Sequence, residues 1–223
     1  PEFREIRSKN PNFINLCLND DLSCQITLQP ITRFDIDSAI IFSDILLVPY
    51  ALNQNVEFIK NKGPVLDAFS KKNFFKTTKQ MFIKKLSPVY DAIKKTRKNL
   101  NKDKSLIAFI GAPWTLLVYM MNLKINKKKI DVVKFENSLD DINLILNDLI
   151  DYLCLHIKKQ IEAGADVVQI FDSWAGLLPE KYMNEFCFLP NKKIVDFCKK
   201  IDVPVICFPK GINYKYSDFN NIV

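Results

Sequence analysis

Ser38-Ala39-Ile40-Ile41-Phe42-Ser43-Asp44-Ile45-Leu46-Leu47-Val48-Pro49-Tyr50-Ala51-Leu52 is an almost unbroken apolar run with one carboxylate in its middle. The segment Ile40-Ile41-Phe42 reads as a short buried strand that stops at Ser43-Asp44 and passes into a loop. An ionised carboxylate in such surroundings costs several kcal/mol unless it is paired or hydrogen-bonded, so Asp44 requires a partner from the fold or from a ligand.

The same unit recurs down the chain. Leu106-Ile107-Ala108-Phe109-Ile110 is a second strand that runs into Gly111-Ala112-Pro113-Trp114-Thr115, where glycine permits a tight turn and proline suits the first turn of a helix over Trp114 to Met121. Asp166-Val167-Val168-Gln169-Ile170-Phe171 is a third, ending at Asp172-Ser173-Trp174-Ala175-Gly176, and Val203-Pro204-Val205-Ile206-Cys207-Phe208 a fourth, ending at Pro209-Lys210-Gly211. Helical segments separate them. Ile142, Ile145, Leu146, Leu149, Leu153, Ile157 and Ile161 keep a 3.6-residue period up to Gly164, behind Ser138-Leu139-Asp140-Asp141, which reads as an acidic variant of the capping box. Phe75, Met81, Phe82, Leu86, Tyr90 and Ile93 place helical packing across 74–98, with a break expected near Pro88, and Pro190 opens a helix to about Lys200. Asp20 and Asp21 are expected to cap a helix that Gln29-Pro30-Ile31 interrupts or kinks. Residues 53–72 read as an irregular excursion, and 122–137, with Lys127-Lys128-Lys129, as a mobile basic loop.

Strands that alternate with helices favour parallel pairing through right-handed crossovers. Polar residues gather just after the strands, which is the edge where α/β sheets bind ligands. Four strong strands amount to half of an eight-strand barrel. A five-stranded doubly wound domain is the alternative, although no glycine-rich phosphate cradle supports a nucleotide.

Composition narrows the function classes. At 223 residues and 48% hydrophobic content the chain can bury a large core as a single domain over 1–223. No apolar run spans a bilayer and no secretory signal opens the sequence, so the expectation is a soluble, cytoplasmic protein that does not engage a membrane. Cys17, Cys24, Cys154, Cys187, Cys198 and Cys207 lack a Cys-x-x-Cys pair and read as free core thiols in a reducing compartment. The single histidine, His156, falls in an amphipathic helix and reads as structural; a zinc site needs three or four clustered ligands. All of the 32 Lys and Arg except Arg4, Arg7, Arg33 and Arg97 are lysine, giving a net charge of +7. Lysine is a poor reader of base edges, and no basic stripe is interleaved with aromatics, so nucleic acid is not an expected partner. An anionic substrate would be welcome.

Three strand-end motifs in order, Phe42-Ser43-Asp44-Ile45-Leu46, Gly111-Ala112-Pro113-Trp114-Thr115-Leu116 and Gln169-Ile170-Phe171-Asp172-Ser173-Trp174-Ala175-Gly176, resemble the uroporphyrinogen decarboxylase family. Pro1-Glu2-Phe3-Arg4-Glu5, Thr27-Leu28-Gln29-Pro30 and Phe208-Pro209-Lys210-Gly211 fit it too, so the resemblance covers nearly the whole chain. It implies a (β/α)₈ TIM-type barrel, here incomplete, and a homodimeric enzyme of porphyrin and haem biosynthesis that needs no metal or organic cofactor. The implied reaction removes the four acetate carboxyls of uroporphyrinogen III to give coproporphyrinogen III. By motif match, Asp44 is the carboxylate that accepts the pyrrole N–H groups and balances the charge of a protonated ring. Tyr119 and Ser173 match hydroxyl residues that bind substrate carboxylates, and Phe109 an aromatic lining the macrocycle pocket. The bland readings are a loop cap for Asp44, a packed core tyrosine for Tyr119 and a turn residue for Ser173. Asp172 reads as structural, and Lys210 as a further candidate for substrate charge.

Two departures accompany the resemblance. The family's Arg-Gln-Ala-Gly-Arg-Tyr motif would precede Pro1, and its histidine loop would follow Val223, so the expectation is a barrel truncated at both ends. Asn122-Leu123-Lys124-Ile125-Asn126 replaces a glycine-rich turn. A noncatalytic remnant that binds porphyrinogen or a partner is the second reading. A cobalamin-linked methyltransferase of the same fold is the third, and its zinc chemistry would need a His/Cys cluster.

Overall fold

The computed structural model describes residues 2–126 and 128–223, so Pro1 of the first motif and Lys127 of the lysine run lie outside the described residues. The chain opens with helices α1 (Glu2–Lys9), α2 (Phe13–Cys17) and α3 (Asp20–Arg33), followed by β1 (Ser38–Ile40) and α4 (Leu47–Ala51). A hairpin of β2 (Val56–Ile59) and β3 (Gly63–Leu66) leads to α5 (Lys71–Lys76), α6 (Lys79–Asn99), β4 (Ser105–Gly111) and α7 (Pro113–Met120). A second, small hairpin, β5 (Lys124–Asn126) with β6 (Lys129–Ile130), precedes α8 (Val132–Asn137), α9 (Leu139–Glu162) and β7 (Val167–Asp172). The chain then runs through α10 (Leu189–Lys200) and β8 (Val205–Pro209) to α11 (Tyr216–Ile222).

Four strands form one parallel sheet in the order β1-β4-β7-β8, as the strand and helix alternation requires. Its two faces differ. Ala39, Leu106, Ala108, Ile110, Val168 and Ile170 are fully buried on one face, under a helical layer in which α3 packs on β1 and α6, and α9 packs on α6, β4 and α10. Register places Ile40, Ile107, Phe109, Gln169, Phe171, Ile206 and Phe208 on the other face, where Ile40 is 49% exposed and Phe208 45%. Large apolar side chains on an uncovered sheet face mark the interior of a barrel or a ligand surface.

Several local expectations are corrected. Pro30 lies inside α3 without ending it, and the side chain of Asn19, not Asp20 or Asp21, caps that helix by accepting from the Leu22 N–H. Helix α6 passes through Pro88 unbroken, because the Ser87 hydroxyl donates to the Lys84 carbonyl whose usual amide partner proline lacks. The break falls instead at Thr77, between α5 and α6, and leaves Phe75 and Met81 exposed rather than packed. Ser138 makes no side-chain cap on α9, since its hydroxyl donates back to the Lys134 carbonyl. Residues 53–72 form an ordered hairpin and the start of α5.

The largest correction concerns 122–137. Asn122 takes a left-handed φ of 51°, Leu123 N–H donates to Val118, and Asp131 N–H donates to Leu123, which folds the segment back on α7. Phe135 on α8 is fully buried among Trp114, Tyr182 and Phe186, with ring centroids 5.1, 5.1 and 5.4 Å away. Among the described residues, Leu123, Ile130 and Phe135 tie this segment to the core, while most of its other side chains are exposed.

Candidate functional site

The carboxyl ends of β1, β4, β7 and β8 carry the site. Thr27 of α3 sets the first of them: its hydroxyl accepts from the Phe42 N–H at 2.8 Å, fixing the chain where it leaves β1. The Phe42 ring is wedged against Phe3 and Phe13. The next residues turn into α4, and Asp44 Oδ1 accepts from the Leu46 N–H at 2.8 Å. That bond is the partner the fold supplies. Asp44 is partly buried and has no ion-pair partner among the described residues. Burial pushes its carboxyl up to about 6, against the lowering effect of the Leu46 N–H.

Tyr119 stands on α7, which starts directly after β4 with Pro113 in its first turn. Its phenol is pushed up by burial, lowered in part by the indole of Trp174, and raised again by the Asp44 charge, so Asp44 and Tyr119 share one electrostatic environment. The Tyr119 and Trp174 rings meet edge-on with centroids 5.8 Å apart. Phe109 lies on the open face of the sheet and packs edge-on to Phe171 at 5.5 Å, which in turn meets Phe208 at 6.4 Å. These three aromatics form a row across β4, β7 and β8.

Asp172 and Ser173 are neighbours in sequence and part company in space. Ser173 is exposed beyond the end of β7. Asp172 is 1% exposed and points the other way, toward the helices, where it accepts from the Thr115 hydroxyl at 2.7 Å, the Cys187 thiol at 3.3 Å and the Asn191 amide at 3.2 Å. Burial pushes its carboxyl up to about 6 despite these three donors. The same Thr115 hydroxyl accepts from the Trp174 N–H, and the Trp114 indole donates to the Trp174 carbonyl. Asp172 is thus a post that holds the turn carrying Ser173 and Trp174.

The loop after β8 is locked to the same turn. Lys210 N–H donates to the Asp172 carbonyl, and Gly176 N–H donates to the Lys210 carbonyl. Gly176 has to be glycine here, because a Cβ would lie 2.3 Å from the Gly211 carbonyl oxygen. The Lys210 side chain is exposed. His156 is remote from this edge: it is buried on α9, shares a hydrogen bond with the Tyr90 hydroxyl, and is held neutral by burial, which lowers its pKa to about 3.

Asp44, Tyr119, Phe109 and the Ser173 turn therefore belong to one edge and one open face of the sheet. Trp174, which touches Tyr119, had no assigned role in the sequence, although it stands inside the quoted strand-end motif. Lys124, whose ammonium lies 5.9 Å from the centre of the Trp174 ring, gave no signal at all within a stretch read as a loop. All six cysteines are free thiols, four buried and two partly buried. Among the described residues no three His, Cys, Asp or Glu are grouped to hold a metal ion, and no helix is long and apolar enough to cross a membrane.

A family model described as uroporphyrinogen decarboxylase (URO-D) matches residues 1–222. The chain belongs to the uroporphyrinogen decarboxylase family. A protein named uroporphyrinogen decarboxylase from Rickettsia bellii is 41% identical over 226 residues, which cover 98% of this chain and 65% of that protein. Proteins of the same name from Orientia tsutsugamushi and Mesorhizobium japonicum are 41% and 39% identical, with 66% and 65% of their lengths covered. The chain thus spans about 65% of the length of these relatives. A solved structure of a methyltransferase from Methanosarcina mazei superposes with a TM-score of 0.71 over 91% of this chain and 60% of its own, at 16% identity, a likeness of fold alone. With the parallel β/α order, these matches assign the sheet to a TIM-type barrel, of which this family member presents four strands.

Proposed function

We propose that this chain takes part in converting uroporphyrinogen III to coproporphyrinogen III, a decarboxylation of four acetate side chains in porphyrin biosynthesis. One observation carries the reading: Asp44, a partly buried carboxylate with no cation beside it among the described residues, lies in the turn that follows β1, at the carboxyl edge of a sheet whose open face carries Phe109 and Phe171. The family membership supplies the substrate that fits it.

In this reading the macrocycle lies against Phe109 with its pyrrole N–H groups turned to Asp44, which accepts them and so meets its remaining hydrogen-bonding capacity. Protonation of a pyrrole carbon makes the ring cationic. The bond from the acetate methylene to its carboxylate then breaks, its electron pair flows into the ring, and carbon dioxide leaves. A proton added to the methylene carbon, with loss of the proton first placed on the ring carbon, restores the aromatic pyrrole and gives the methyl product, so each cycle consumes one proton and releases one carbon dioxide. A fixed anion in a poorly solvated pocket stabilises the cationic ring as it forms, which is the electrostatic part of the catalysis. Tyr119 and Ser173 donate to substrate carboxylates and hold the reacting side chain. The protein acts as one domain, in the cytoplasm and as a homodimer, without nucleic acid; light scattering on the purified chain tests the dimer.

The experiment is anaerobic incubation of the purified chain with uroporphyrinogen III, followed by oxidation and chromatography of the porphyrins. Successive hepta-, hexa-, penta- and tetracarboxylate species, lost in Asp44→Asn, support the proposal. Binding without turnover would leave a porphyrinogen-binding protein in place of an enzyme, and absence of both would overturn the reading.

A further inference from the structure

We infer that Trp174, Tyr119 and Lys124 form a clasp for one carboxylate side chain of the ligand, an inference that rests on the polycarboxylate substrate proposed above. The starting observation is an orphaned donor. Trp174 is 6% exposed, and its indole Nε1–H has no hydrogen-bond partner among the described residues. Buried donors are normally satisfied, and one that is not calls for an explanation. The indole approaches the Tyr119 hydroxyl closely enough to lower its pKa, while the geometry falls short of a hydrogen bond.

The second observation is charge. Lys124 Nζ lies 5.9 Å from the centre of the Trp174 ring, within the range of a cation–π contact. Lys124 and Tyr119 line a cleft of about 250 Å³, with Lys62, Asn122 and the Pro64-Val65-Leu66 strand as its other walls. Among the described residues neither Lys62 nor Lys124 is ion-paired, whereas Lys95 is tied to Asp20 and Lys104 to Asp35. The walls are joined, because the Asn122 amide donates to the Leu66 carbonyl at 3.3 Å.

A phenol O–H and an ammonium that line one cleft, with an indole N–H behind the phenol, are the complement of a carboxylate. When the ligand binds, the indole N–H closes onto the phenol oxygen, which turns the phenolic proton toward the ligand, and Lys124 supplies the balancing charge. The cleft admits a short carboxylate side chain and not the macrocycle itself. Its position beside Tyr119, within the field of Asp44, puts that side chain at the rim of the proposed macrocycle site. Trp174 is accordingly a positioning residue for Tyr119, and Lys124 a determinant of affinity for the carboxylated ligand.

The test is anaerobic titration of the chain with uroporphyrinogen, an octacarboxylate, followed by calorimetry at low and high salt. Wild type binds, Lys124→Gln weakens binding by about tenfold with a smaller deficit at high salt, and Lys124→Arg restores it, as expected for a charge-assisted contact. Trp174→Phe weakens binding severalfold. Lys124 sits on a partly exposed hairpin, so its substitution decides the matter even where Trp174→Phe fails to fold. Wild-type binding with unchanged affinity in Lys124→Gln, or a deficit that salt does not alter, overturns the clasp and leaves the proposed function standing. No binding by wild type overturns both.

Discussion

Thr115 donates its hydroxyl to Asp172 Oδ1 at 2.7 Å and accepts on the same oxygen from the Trp174 N–H at 3.2 Å. One side chain on the first turn of α7 thereby connects a buried carboxylate at the end of β7 to the turn that carries Ser173. Thr115→Val keeps the shape and removes both bonds, leaving Asp172 short of a donor and the Trp174 amide without an acceptor. We expect a loss of about 1 to 3 kcal/mol, the usual penalty for stranding a buried polar group. Denaturant unfolding measures it, and Thr115→Ser should recover most of the difference. A change within about 0.5 kcal/mol, the ordinary range for a neutral substitution, would show that the linkage is not stabilising.

Asp44 gives a pH-dependent prediction with a definite sign. Its carboxyl is pushed from the ordinary 3.8 to about 6. The folded state therefore holds the proton more tightly than the unfolded state, and stability contributed at this position falls as pH rises through 3.8 to 6. At pH 8 the ionised group costs up to about 3 kcal/mol, since each tenfold gain in proton affinity on folding is worth about 1.4 kcal/mol. Asp44→Asn keeps an oxygen for the Leu46 N–H and has no charge, so it should be more stable than wild type at pH 8 and close to it at pH 4. The difference between the two proteins is the quantity to measure. It cancels the opposing trend from His156, whose lowered pKa makes acid destabilising. The same variant should lose activity, with its stability gained and its function impaired.

Strand β1 lies two residues earlier than its apolar run indicates, at Ser38–Ile40 instead of Ile40-Ile41-Phe42. The other three strands of the parallel sheet, β4, β7 and β8, were legible because they lie in dense apolar runs, and α9 because its apolar residues keep an unbroken 3.6-residue period. Short elements were not. The hairpins β2–β3 and β5–β6 are too brief to show a period, and one buried residue, Phe135, is enough to dock α8 on the core while Val132 and Val133 stay exposed. Pro88 marked a break that does not occur, since a serine hydroxyl one residue earlier takes over the missing donor's role. At the site, the strand-end positions of Asp44, Asp172 and Ser173 were readable, and alternation along a strand explains why the last two face opposite ways. The company each keeps was not readable. Cys187 and Asn191 reach Asp172 from 15 and 19 residues downstream, and the Trp174–Lys124 approach is tertiary.

Gly176 tests the union of the two loops after β7 and β8. Any Cβ there meets the Gly211 carbonyl oxygen at 2.3 Å, backbone that cannot rotate away as a side chain would. Gly176→Ala should force the loops apart and cost about 1 to 3 kcal/mol, the usual range for overpacking. The Gly176 N–H to Lys210 bond would open with it. Amide exchange at Gly176 and Gly211 reports the separation directly. Protection equal to wild type, with an unchanged melting temperature, would mean that the loops are not held as described.

Phe135 decides whether 122–137 is core or loop. A basic loop outside the core would tolerate Phe135→Ala with no effect. The structure buries this ring completely, edge-on to Trp114, Tyr182 and Phe186, so truncation should open a cavity and cost about 3 to 5 kcal/mol, as for other buried aromatics. Phe135→Leu, which refills most of the space, should recover part of the loss. The effect should reach the site, because Trp114 holds the Trp174 carbonyl through its indole at 2.9 Å, and α8 follows directly on the hairpin that carries Lys124. Fluorescence makes the connection measurable, since Trp114 and Trp174 are the two tryptophans of the chain. In Phe135→Ala the emission should shift to the red as the Trp114 environment loosens, in parallel with the fall in stability. A variant as stable as wild type, with unchanged emission, would remove α8 from the core and with it the support assigned here to the Trp174 turn.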